Sequence, residues 1–133
     1  MASPIIRHCL LCEDIRLELR NLVSFMGVYG AIPYAGIKVA DLKLPVIFCL
    51  VFLGDPIDGK FAMKLNLFSR DGRIVEANTA PPINEQTFSR EFPITFAFRV
   101  SAIFPRPDTY TIVVSSNGTE FFKDALSITE GPI

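Results

Sequence analysis

The chain has 133 residues, half of them hydrophobic, with 12 Phe, no Trp, 3 Cys and a formal net charge of −1. That length suits one domain, 1–133, with a core of its own, and so small a charge supplies no field for nucleic acid or an anionic membrane surface. An odd number of cysteines argues against a disulfide framework, and no apolar stretch with a small-residue cleavage site opens the chain, so the cytoplasm is the expected location.

Residues 8–30 (HCLLCEDIRLELRNLVSFMGVYG) predict a β-hairpin turning at Arg20-Asn21. That turn sets Leu19 opposite Leu22, Leu17 opposite Ser24, Ile15 opposite Met26, Glu13 opposite Val28 and Leu11 opposite Gly30. Opposed residues share a face, which groups Leu11, Ile15, Leu17, Leu19, Leu22, Met26 and Val28. A one-residue slip would turn this apolar set to water. Arg-Asn is a weak turn signal, so a bulge is an alternative way to close the hairpin.

Residues 32–43 form a connection with a weakly strand-like Ile37-Lys38-Val39. Residues 45–53 (PVIFCLVFL) are continuously apolar but far short of the about 20 residues that cross a membrane as a helix. Their β-branched and aromatic content indicates a strand buried on both faces. A two-layer protein normally shows water one face of each sheet, so something must cover this strand: the 32–43 connection or a second copy of the chain. Residues 61–69 and 73–78 predict a second hairpin around Asp71-Gly72. A three-residue loop with Gly72 in the left-handed region avoids opposing Arg70 and Arg73, and groups Met63, Leu65 and Leu67 with Val75 and Ala77.

Residues 79–93, with Pro81-Pro82, read as a long polar loop. Ile94, Phe96, Phe98, Val100, Ala102 and Phe104 alternate along a strand, with Thr95, Arg99 and Ser101 on its other face. Pro105 to Asp108 make a corner, after which Tyr110 is placed to act as a tyrosine corner. Asn117-Gly118 is the strongest turn signal, setting Val114 opposite Phe121 and Val113 opposite Phe122. Residues 125–129 form a last short strand. About eight strands with closely spaced turns and no helical periodicity indicate an all-β, antiparallel two-layer β-sandwich. Alternating strand direction would gather Arg20-Asn21 and residues 54–60, 79–93 and 117–118 at one end, and residues 32–43, 70–72 and 105–108 at the other.

The segment Leu10-Leu11-Cys12-Glu13-Asp14-Ile15-Arg16, followed by Asn21, Ser24 and Met26-Gly27-Val28-Tyr29-Gly30, resembles a family of small bacterial proteins recorded as a domain of unknown function. Asp71-Gly72 and Phe104-Pro105-Arg106-Pro107-Asp108-Thr109-Tyr110 match its other marks. The resemblance implies an immunoglobulin-like or C2-like β-sandwich and no catalytic residues.

Candidate chemistry is sparse. Cys9 and Cys12 form a C-x-x-C, but an offset of three on a strand sends the sulfurs to opposite faces, so a redox or zinc pair gives way to buried, reduced thiols, with Cys49 alone in its strand. His8 shares a face with Cys12 and Asp14, yet residues four apart on a strand lie about 13 Å apart, and no nucleophile pair forms. Asp55 and Asp58 suggest calcium, helped at one end by Asn21, Asn84, Glu85 and Asn117. Hard cations want six or more oxygens, while Asp-Pro and Asp-Gly are ordinary turn formers. Asn117-Gly118-Thr119 matches a glycosylation acceptor but without secretion is only a turn. The other end collects Lys38, Lys43, Arg70, Arg73 and Arg106 against Asp41, Asp71 and Asp108, with Tyr34 nearby. Tyr34, Lys38, Arg70 and Arg106 are the candidate partner contacts.

The expectation is therefore a protein that is not an enzyme, with no cofactor and no metal. It acts as a binding or assembly module whose partner is a protein, foremost a second copy in a homodimer, without nucleic acid or membrane insertion. The alternative is a ligand- or calcium-responsive C2-like domain working through its end loops.

Overall fold

The structure, a computed structural model, describes residues 3–17 and 23–131, with backbone only for 15–17 and 23–27. It is all-β among these residues. The strands are β1 (Ile6–Leu17), β2 (Val23–Ala31), β3 (Gly36–Val39), β4 (Val46–Gly54), β5 (Gly59–Phe68), β6 (Glu76–Ala80), β7 (Asn84–Phe88), β8 (Ile94–Ile103), β9 (Asp108–Ser116) and β10 (Thr119–Glu130). They form two five-stranded sheets, ordered β2-β1-β4-β8-β6 and β3-β10-β9-β5-β7. Inward residues of both sheets share one hydrophobic core.

Alternation decides which residues enter that core. Phe48, Leu50 and Phe52 of β4, Phe96, Phe98 and Val100 of β8, and Tyr110, Ile112 and Val114 of β9 are all buried. Phe52 stacks on Phe96 (centroids 4.8 Å apart) and meets Phe122 edge-on at 5.2 Å. Such pairs add about 0.5–1.5 kcal/mol each beyond area burial.

Ten strands form where about eight were expected, and the extra ones arise where the chain changes sheets. Residues 32–35 turn tightly, with the Tyr34 and Ala35 N–H groups donating to the Ala31 carbonyl at 2.9 and 2.8 Å. The chain thereby passes from β2 to β3, the edge strand of the other sheet. There β3 pairs with β10 in parallel, a departure from the all-antiparallel expectation. Ile32, Ala35, Ile37 and Leu42 are thus part of the shared core, and the 32–43 connection does not cover β4.

The second crossing corrects the Asp71-Gly72 hairpin. The three-residue loop forms, with Gly72 at φ +85° and the Ser69 N–H donating to the Arg73 carbonyl at 2.8 Å. Pairing then stops at a bridge between Phe68 and Ile74, and β6 joins β8 in the opposite sheet. The expected polar loop 79–93 contains β7, which returns to the β5 edge. β6 overlaps the strand expected over 73–78 but pairs with β8 instead of β5, whereas β7 read as loop because it is five residues of mostly polar sequence at a sheet edge.

Among the described residues three registers shift at irregularities: one between Ile6 and His8 where β1 meets β4, and one in each of two expected hairpins. β1 and β2 pair Leu11 with Gly30 as expected, but Tyr29 is an extra residue, so Cys12 opposes Val28, Ile15 opposes Phe25 and Leu17 opposes Val23. Val28, expected on the apolar face with Leu11, instead lies opposite outward-facing Cys12 and is 51% exposed. The Arg20-Asn21 turn lies outside the described residues. At the other hairpin, Asn117 and Gly118 both take positive φ (52° and 81°), but a shift between Glu120 and Phe122 sets Phe122 opposite Val114. Both Phe121 and Phe122 consequently pack on the core, which strict alternation would forbid.

Candidate partner surface

Four outward positions of β4 carry the chain's unusual feature. Ile47, Cys49, Val51 and Leu53 point away from the shared core, and none is polar. Cys49 lies between Cys12 on β1 and Arg99 on β8, and Val51 between Leu10 and Ala97. Cys12, Cys49 and Val51 form a second buried cluster, ringed by half-buried Leu10, Leu53 and Ala97. As an offset of three requires, Cys9 faces the main core and Cys12 the outside. Cys49 is not alone, however: it stands directly opposite Cys12, whose thiol donates to the Cys49 carbonyl at 3.8 Å.

Burial pushes the Cys12 thiol up to about 11 and that of Cys9 higher still. Burial thus disfavours the thiolate at both positions, and the two side chains act as packed, apolar groups. His8 is exposed at the start of the same face, opposite Leu53.

Arg99 reaches across β4 to Asp14, Nη2 to Oδ1 at 2.5 Å, with both side chains about half exposed. Beyond this strap the outward phase is mixed: Ile47, 64% exposed, stands opposite Ser101, and Ile103, 39% exposed, opposite Glu76. Ile103 also lines the two grooves flanking the 105–107 corner, one shared with Ile74 and Arg106, the other with Leu42 and Lys43. Ile47 and Ile103 were legible as apolar residues in the outward phase of their strands.

The structure brings together two of the four candidate contacts. Arg70 Nη2 lies 3.0 Å from Asp108 Oδ1, and Arg106 Nε lies 3.4 Å from Oδ2. The Thr109 N–H, then these guanidiniums, hold the Asp108 carboxyl below the usual carboxylate range, against its desolvation. Lys38 lies on β3, separated from the Asp108 strand by β10. Tyr34 is 93% exposed in the turn between the β2 and β3 edges, along the flank of the layers rather than at the corner end.

At the far end the calcium candidates are occupied by arginines. Arg7 holds Asp55 bidentately, Nη2 to Oδ2 at 2.7 Å and Nε to Oδ1 at 3.0 Å. Arg90 binds Asp58 through its side chain at 3.1 Å and its backbone N–H at 2.8 Å. Asn84 is buried and donates to the Ala97 carbonyl at 3.0 Å. Among the described residues no three His, Cys, Asp or Glu side chains are grouped to hold a metal ion, and no helix is long and apolar enough to cross a membrane. Neither the models of known protein families nor the curated proteins compared with this chain match it.

Proposed function

We propose that the chain is a non-catalytic binding or assembly module of the bacterial cytoplasm, built as an immunoglobulin-like or C2-like sandwich, that associates with a second copy of itself through the β2-β1-β4-β8-β6 sheet. The observation that carries this reading is the outward face of that sheet. Ile47 and Ile103 are exposed, and Leu10, Leu53 and Ala97 partly so, at positions where a solvated sheet places polar side chains, around Cys12, Cys49 and Val51, which are already buried within one chain. The 32–43 connection, the other cover the sequence offers, is committed to the core and the opposite sheet, and the exposed Ile47 and Ile103 support a second copy as the partner. The resemblance of residues 10–30 to a bacterial sandwich family supports the architecture and the setting.

Size-exclusion chromatography with light scattering tests the reading. A mass of twice 14.8 kDa is expected at micromolar concentration; a monomer there would overturn self-association.

A further inference from the structure

The two sheets present four edge strands: β2, β6, β3 and β7. An unpaired edge is a row of free N–H and C=O groups that invites another strand, and proteins guard such edges with short strands, charge, proline or bulges. Three of the four are guarded here. β3 is four residues with Lys38, β6 five with Glu76, and β7 five with Glu85. β2 is different. It runs for nine residues, VSFMGVYGA, with no charge and no proline, and its bulge lies near its end at Tyr29. Among the described residues β2 pairs with β1 alone.

Resting on the reading of the chain as self-associating, we infer that the contact is made by β2. Two copies lay this strand antiparallel to itself across a two-fold axis, joining two five-stranded sheets into one of ten. The pairing suits a second copy for two reasons. A neutral strand opposed to its own image sets no like charges against each other, the feature that destabilises cross-strand pairs. Among the described residues there is also no second long, unguarded edge for head-to-tail growth, so the association closes at two. Edge pairing leaves the outward face of each copy as it is in one chain, where Cys12, Cys49 and Val51 are already buried.

The test joins light scattering on Val28→Lys with amide hydrogen exchange on the unaltered chain at two concentrations. Val28 is half exposed, and a lysine there guards the edge as β3 is guarded. We expect a folded, monomeric variant and β2 amides that exchange several-fold more slowly at the higher concentration, with the β3, β6 and β7 edges unchanged. A dimeric unaltered chain whose β2 exchange ignores concentration would overturn the edge contact while leaving self-association standing. A monomeric unaltered chain would overturn both, and a mass above two chains would overturn the closed pairing. Should the variant fail to fold, the exchange measurement on the unaltered chain decides alone.

Discussion

The Tyr110 hydroxyl donates to the Arg106 carbonyl at 2.5 Å and accepts from the Arg106 N–H at 3.3 Å. One buried phenol thus serves both backbone groups of a residue four positions earlier, while its ring packs on Phe104 at 4.8 Å. Removing that hydroxyl leaves the corner short of a donor. Tyr110→Phe should lower stability by about 1–2 kcal/mol, the range for stranding a buried polar group. An unchanged urea midpoint would mean that water replaces the phenol at no loss.

Asp108 anchors the same corner against Arg70 and Arg106. Its carboxyl is held below the usual aspartate range in the folded chain, first by the Thr109 N–H and then by the two guanidiniums, so the carboxylate favours the fold. That contribution is present above the unfolded-state value and is lost as pH falls through the lower folded one. A carbon-detected NMR titration should place the Asp108 midpoint below that of an ordinary aspartate. Arg70→Ala with Arg106→Ala should move it up part of the way, because the Thr109 N–H remains.

The three thiols should be inert while the chain is folded. Cys9, Cys12 and Cys49 are each at most 2% exposed, and burial raises the first two. A maleimide at pH 8 should label none of them at the rate of a free cysteine, and all three in denaturant. Fast labelling of Cys12 or Cys49 in the folded chain would show that the Arg99–Asp14 strap opens readily.

Gly54 ends β4 where it meets the residue before β1. A methyl group there would sit 2.3 Å from the Ile5 carbonyl oxygen, the same oxygen that accepts from the Asp55 N–H at 2.9 Å. Backbone must shift to admit it, so Gly54→Ala should cost about 1–3 kcal/mol, as overpacking does. Thermal melting would register this as a lowered midpoint; an unmoved one would place Ile5 elsewhere.

The inward residues were legible because period-two alternation survives in single strands: β8 and β9 read directly as Ile94 to Phe104 and as Tyr110, Ile112 and Val114. The Asn117-Gly118 turn and the Gly72 loop were equally local, since positive φ favours particular residues. The two crossings were not. Nothing local distinguishes a hairpin from a strand leaving its sheet after Ile74, so the strand expected over 73–78 was paired with β5 instead of β8, and the polar edge β7 resembles loop. Of the candidate contacts, Arg70 and Arg106 fell together because their loops share one end, whereas Tyr34 was misplaced because β3 was read as connection.

Residue order by itself determined that this chain is extended, phenylalanine-filled and turned at its Gly-bearing loops, because strand periodicity and left-handed backbone are properties of neighbours. Tertiary structure alone decided which strands share a sheet, that Cys12 opposes Cys49, that Asp14 reaches Arg99 across β4, and that β2 is left as an edge. Those relations depend on hydrogen bonding and burial between segments tens of residues apart, and on bulges whose cost is repaid only by distant packing.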